Sequence, residues 1–162
     1  MSDLAGNSEL DPELDLQSPI LTELLQIWEN ARADKPLPAR ADMGPSVLGP
    51  VLLPHILIAD VEYHPVMRFR WRLIGTHTTE TLGRDVTGSY WDEIYNEQTM
   101  ASLALRVGWL LKHRKPLRAI GISPKPEENA GSSETLYLPL SDDGSRINMV
   151  MLGSVYTVGP GA

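Results

Sequence analysis

The side chains that could do chemistry in this sequence are few and scattered. Four histidines, His55, His64, His77 and His113, show no spacing that would make a metal site or an acid–base pair. Asp142-Asp143 is a carboxylate pair, but Gly144-Ser145 follows it directly, which makes it a tight hairpin turn rather than a catalytic dyad. Gly83-Arg84-Asp85 sets a cation beside an anion, a pairing that braces a loop. No G-x-S-x-G, no H-E-x-x-H and no phosphate-cradling glycine loop occurs. The chain has no cysteine, which excludes disulfides, zinc-thiolate and iron–sulfur centres, thiol catalysis and any cysteinyl–flavin photoadduct. No catalytic residue and no metal ligand is assigned.

Aromatic residues are the stronger candidates, and they point to binding rather than to reaction. Residues 67–74 alternate, with Phe69, Trp71 and Leu73 on one face and Arg68, Arg70 and Arg72 on the other. Tyr90, Trp91 and Tyr95 cluster farther on. Such rings either fill a core or wall an apolar cavity that carries a few placed polar groups. The arginine stripe is either a solvated face with acidic partners across the strands or an interaction surface, for which guanidinium groups are well suited.

These residues need elements to hold them. Ser18-Pro19 is a helix start, and Ile20, Leu21, Leu24, Leu25, Ile27, Trp28 and Ala31 follow helical spacing over residues 20–33. Pro36 and Pro38 end that helix. Residues 36–54, rich in proline and glycine, predict a wrapped connector with one helical turn near residues 46–49. Residues 55–61 and 67–74 predict a strand hairpin turning at His64-Pro65. A short helix over 76–82, capped by Thr76 and ended by Gly83, comes next. Asn96 then caps a longer helix whose apolar face is Met100, Leu103, Ala104, Val107, Leu110 and Leu111; Lys112 to Lys115 sit at its C-terminal end. Strands at 117–122, 135–140 and 146–158 close the chain, with a polar loop at 124–133 and a frayed end at 159–162. The result is an α+β fold, a five-stranded antiparallel sheet with helices grouped on one face. The expected inner face comprises Phe69, Trp71, Leu73, Leu136, Leu138, Met149 and Met151, none titratable.

Composition bounds the function. At 162 residues and 42% hydrophobic, the chain can bury one core. Of the net charge of −7, Asp3, Glu9, Asp11, Glu13 and Asp15 supply −5 with no base among them, so residues 1–18 are expected to be a solvated acidic leader. An acidic chain gains nothing from counterion release, which argues against a nucleic-acid partner. No apolar run approaches the roughly 20 residues of a membrane helix, and the N-terminus lacks a signal-peptide pattern, so a cytoplasmic location is expected.

The order of elements and several stretches together resemble the single-domain PAS-type sensor proteins common in alphaproteobacteria. The stretches are Trp28-Glu29-Asn30-Ala31-Arg32, Leu37-Pro38-Ala39-Arg40-Ala41-Asp42, Leu53-Pro54-His55-Ile56-Leu57-Ile58-Ala59-Asp60-Val61, Phe69-Arg70-Trp71-Arg72-Leu73-Ile74-Gly75-Thr76 and Leu82-Gly83-Arg84-Asp85-Val86-Thr87-Gly88. The resemblance covers residues 21–158. It implies a PAS domain over 36–158, a flanking helix over 19–35 and a sheet in the spatial order 2-1-5-4-3. It also implies a stand-alone sensory or regulatory module that acts in signal transduction without catalysis. Such a module would bind a small apolar ligand at Trp71, Leu73, His77, Tyr90, Trp91 and Val107, or would meet an unidentified signalling protein, or both. The flanking helix implies a homodimer, with Leu21, Leu24, Trp28, Arg70 and Arg72 at the interface. No cofactor is named. Haem-binding PAS sensors use a histidine near the long helix, but His113 stands among Lys112, Arg114 and Lys115, the setting of a solvated helix end rather than of an axial ligand. Two alternatives remain at this point: a structural adaptor with a filled core, and a small α+β isomerase- or thioesterase-like enzyme.

Overall fold

A computed structural model describes residues 9–122 and 132–157. The expected leader over residues 1–8, the loop over 124–131 and the end at 159–162 lie outside the described residues. Strand β1 (Glu9–Asp11) opens the fold and helix α1 (Pro19–Arg32) follows. The Ser18 hydroxyl accepts from the Ile20 amide at 3.2 Å, the N-cap its sequence position predicts. The connector is more structured than expected. A 3₁₀ turn (Arg40–Met43) leads into α2 (Pro45–Leu52), and a second 3₁₀ turn (Leu53–His55) follows. Gly49, at φ 81°, kinks α2 just before Pro50.

Strands β2 (Ile56–Glu62) and β3 (Arg68–Ile74) form the expected hairpin. Helices α3 (Thr76–Leu82), α4 (Trp91–Ile94) and α5 (Glu97–His113) come next, then β4 (Leu117–Ile122), β5 (Ser132–Leu140) and β6 (Met149–Thr157). The N-cap of α3 is Gly75 rather than Thr76. A side chain does not fit there, because a Cβ would stand 2.3 Å from the Pro54 carbonyl oxygen. Asn96 caps α5 as expected, accepting from the Thr99 amide at 2.8 Å. Asp142-Asp143 belongs to the connection between β5 and β6: one oxygen of Asp143 accepts from the Ser141 hydroxyl and from the amides of Ser145 and Arg146. Asp85 braces its own loop through the amide and hydroxyl of Thr87.

The sheet is α+β and antiparallel throughout, in the order β1-β4-β5-β6-β2-β3. Its last five strands reproduce the expected order 2-1-5-4-3, and β1 is a sixth strand that the sequence analysis did not contain. The acidic stretch 9–18 is therefore not a free leader. Asp11 and Glu134 both bind Arg118, at 2.9 and 2.6 Å, and Arg118 is buried. Glu134 also accepts from the amides of Gln17 and Ser18 at the start of α1. Asp11, expected as part of a solvated leader, instead pairs with a buried guanidinium and accepts from the amides of Glu13 and Asp15.

The face assignment needs correction. Gly153 on β6 lies under α1, and a Cβ there would meet the Leu24 and Leu21 methyls at 2.5 and 2.9 Å. Gly153 pairs with Leu136 and Ile56, and Met151 pairs with Leu138 and Ile58. Directly paired residues share a face. Leu136, Leu138, Met149 and Met151 therefore look toward α1, not toward α3–α5. Leu73 joins them because β3 carries a bulge. Ile58 pairs with Leu73 and Ala59 with Trp71, which leaves Arg72 as the extra residue and reverses the alternation beyond it.

Helix α1 buries Leu21, Leu24 and Trp28 against this face, and the Trp28 indole donates to the Pro139 carbonyl at 3.0 Å. These three side chains are thus intramolecular core, which removes them from the expected homodimer interface. Truncation of Leu24 to Ala should cost about 2–5 kcal/mol. Gly153→Val, which must push α1 off the sheet, should lower the midpoint of chemical denaturation as well. If both variants unfold at the wild-type midpoint, α1 does not pack on β6.

Candidate functional site

The opposite face of the sheet meets α3 and α5 around a partly open cavity of about 170 Å³. Its walls are Leu57 from β2, Trp71 and Ile74 from β3, Thr135 and Tyr137 from β5, and Leu152, Ser154 and Tyr156 from β6. Thr78 of α3, Val86 and Tyr95 of the loops and Leu103 of α5 close it. Each element is held there by ordinary packing. The bulge at Arg72 turns both Trp71 and Ile74 inward, and α5 anchors its buried face with Val107 and Leu110.

The apolar walls carry an arc of hydroxyls. The Trp71 indole donates to the Tyr95 hydroxyl at 3.0 Å, tying β3 to the segment between α4 and α5. Thr78 and Tyr156 hydroxyls lie 3.3 Å apart, and those of Thr135 and Ser154 lie 3.1 Å apart. Tyr137 is buried near the Arg106 guanidinium, itself buried on α5. Burial pushes the Tyr137 and Tyr95 hydroxyls above the usual tyrosine range, so both keep their protons.

Behind Tyr156 lies a histidine pair. His55 and His77 have ring centroids 4.3 Å apart, and His77 stacks on Tyr156 at 5.3 Å. The His77 Nε2 accepts from the Tyr156 amide at 3.3 Å, and His55 Nδ1 lies 3.1 Å from the Ser154 carbonyl. Burial first, and then the neighbouring His55, hold His77 below its ordinary value of 6.5; Glu80 acts in the other direction. His113 is exposed at the end of α5, stacked on Trp109, and His64 is exposed in the β2–β3 turn. Among the described residues no group of three or more His, Asp or Glu side chains could hold a metal ion.

Of the six residues proposed for ligand contact, only Trp71 lines this cavity. Leu73 looks toward α1. Trp91 is fully buried behind the wall, with its ring 4.9 Å from both Phe69 and Trp71, and its indole N–H has no partner among the described residues. Val107 is buried in the packing under α5. His77 stands behind Tyr156. Tyr90 lies at the β3 edge, where its hydroxyl donates to Glu62 and the Arg68 guanidinium covers its ring at 3.6 Å. Tyr137, Tyr156, Thr78 and Ser154 were missed. One signal could have found them. Glycine inside a strand marks a close approach of another element, so Gly153 identifies the helix-packed face of β6 and leaves Leu152, Ser154 and Tyr156 for the other.

Arg70 and Arg72 are exposed on β3. Arg72 pairs with Asp60 across the hairpin at 2.8 Å, and Arg70 donates to the Gly88 carbonyl. The loop bearing Gly88 and Ser89 hydrogen-bonds to both backbone groups of Trp71, so it covers the outer edge of β3.

A five-stranded order of this kind, with short helices arched over one face and a cavity beneath them, is the architecture expected of a PAS-like sensory domain. The family model for the PAS domain matches residues 16–155, and the chain belongs to that family. No curated protein and no solved structure gives a significant match. PAS domains are typically non-catalytic sensory or regulatory modules that bind ligands or other proteins. Among the described residues no helix is long and apolar enough to cross a membrane.

The depressed His77 makes stability depend on pH. The unfolded chain binds a proton there more readily than the folded one, so the contribution is complete above about 6.5 and is lost as pH falls below it. Replacing His77 with Gln should flatten this slope in denaturation midpoints measured between pH 5 and pH 8, a range chosen around the ordinary histidine value. An unchanged slope in His77→Gln would place the titration elsewhere.

Proposed function

We propose that the chain senses a small molecule in the cavity between β3, β5, β6 and α3–α5, and passes its occupancy to a partner protein without catalysis of its own. The carrying observation is the cavity itself, which is lined by sheet and helices together and mixes apolar walls with hydroxyl groups. A purely structural adaptor has no use for such a space. Its size matches a single ring, since a cavity of about 150 Å³ holds benzene. The isomerase- or thioesterase-like alternative loses ground because the cavity lining, among the described residues, carries no carboxylate and no histidine, and burial raises the Tyr95 and Tyr137 hydroxyls above the usual tyrosine range.

Half of the wall is made of hydroxyl-bearing side chains, which favours a ligand of mixed character over a purely apolar one. For output we assign the exposed side of β3 with Arg70 and Arg72, which lies one residue from Trp71 on either side. A homodimer formed through the same edge is compatible with this reading, without Leu21, Leu24 and Trp28, which are buried between α1 and the sheet.

The test is a thermal-shift and tryptophan-emission screen of single-ring compounds. A compound present at 100 times its Kd should stabilise the protein by about 2.7 kcal/mol. Leu152→Phe, which fills the cavity, should abolish the shift. If no compound in the screen stabilises the wild type, or if the filled variant responds equally, the sensing reading fails and the adaptor reading stands.

A further inference from the structure

The hydroxyls around the cavity can be accounted for proton by proton, and donors are left over. An indole N–H can only donate. The Trp71 contact therefore uses the Tyr95 oxygen as acceptor and leaves the Tyr95 hydrogen unspent. The Arg106 guanidinium near Tyr137 is likewise a donor only, so it offers the Tyr137 hydrogen no acceptor. Thr78 and Tyr156 share one bond between two hydroxyls, and so do Thr135 and Ser154; each pair retains one hydrogen. None of these hydrogens meets a further acceptor among the described residues. All of these groups line one cavity. Buried donors without acceptors are costly, and water or a ligand must satisfy them.

Building on the ligand-sensing reading above, we infer that this cavity takes a single-ring molecule carrying an oxygen acceptor, a carbonyl or carboxylate group. The ring rests on Leu57, Ile74, Leu103 and Leu152, and the oxygen faces the hydroxyls of Tyr95 and Tyr137. An amine in the same place brings more donors to a site already in excess of them. A hydrocarbon leaves those donors unmet. A site built around hydrogen bonds rejects an analogue lacking the group far more strongly than a greasy pocket rejects a missing methylene.

Isosteric probes separate these cases on the wild-type protein: acetophenone, 1-phenylethylamine and isopropylbenzene, with benzoate as the charged acceptor. Binding is read by tryptophan emission and by chemical-shift changes of the Tyr95 and Tyr137 ring resonances. Acetophenone and benzoate are expected to bind at least tenfold more tightly than the amine and the hydrocarbon. Tyr137→Phe should weaken acetophenone about tenfold while leaving isopropylbenzene unchanged. Equal binding of all probes overturns the acceptor inference and leaves the sensing reading intact. Absence of binding by every probe overturns both. The ranking on the wild type decides the matter even if Tyr137→Phe does not fold.

Discussion

The central strands of this sheet are apolar on both sides. Residues 56–59 of β2, 136–140 of β5 and 150–154 of β6 are all buried. A sheet of this kind cannot leave one face in water, as many antiparallel sheets do. It needs two layers of cover, and the chain provides both: α1 on one face, α3–α5 on the other. Helix α1 is thus part of the fold rather than an accessory to it, and the Gly153 notch fixes how closely it approaches. At about 1.5–3 kcal/mol for each fully buried large side chain, Leu21, Leu24 and Trp28 together bring stabilisation comparable to the net stability of a small domain.

The same constraint explains what was legible in the sequence. Helix boundaries and the hairpin could be read, because caps, prolines and β-branched runs are local signals, whereas the strand order followed from the resemblance to the PAS family. Which face of a strand meets which layer could not, because a run such as Leu136-Tyr137-Leu138 offers buried residues in both directions. Hydrophobicity favoured the leucines as inner residues, whereas the structure gives the cavity Tyr137. The bulge at Arg72 compounds the problem. Sequence alternation runs unbroken from Phe69 to Leu73, yet the pairing skips a residue and sends Leu73 to the other side. Nothing local in the arginine-alternating stretch marks that slip. The cavity residues Thr78, Tyr95, Tyr137 and Tyr156 come from four separate segments and share no spacing.

The acidic N-terminal segment was misread for a related reason. Composition treats Asp11 as one charge in a run, whereas the fold gives it a specific partner. Arg118 sits on β4 facing α1, buried, and a lone guanidinium there would be expensive. Asp11 and Glu134 together neutralise it, and Glu134 also receives the amides that open α1. One basic residue thereby ties β1, β4, β5 and the start of α1. β1 thereby pairs along the β4 edge, and at the other end the loop at Gly88 and Ser89 hydrogen-bonds to the β3 backbone at Trp71.

The two covering layers differ in a way that matters for sensing. Helix α1 has fourteen residues with three buried side chains pressed onto the sheet. On the cavity side α3 has seven residues and α4 only four, and helices that short do not hold their shape in water without tertiary contacts. Their position depends on Trp71, Tyr95, Thr78 and Tyr156, the groups that border the cavity. On the sensing reading proposed above, a molecule bound there would act on these short helices rather than on α5, and would shift them only by the difference in its affinity for the alternative arrangements. Trp71 stands between Arg70 and Arg72, and its backbone is bonded to the loop at Gly88 and Ser89. The cavity and the outer surface of β3 are thus one residue apart, joined by covalent backbone and two hydrogen bonds, which is the shortest route the proposed sensing could take.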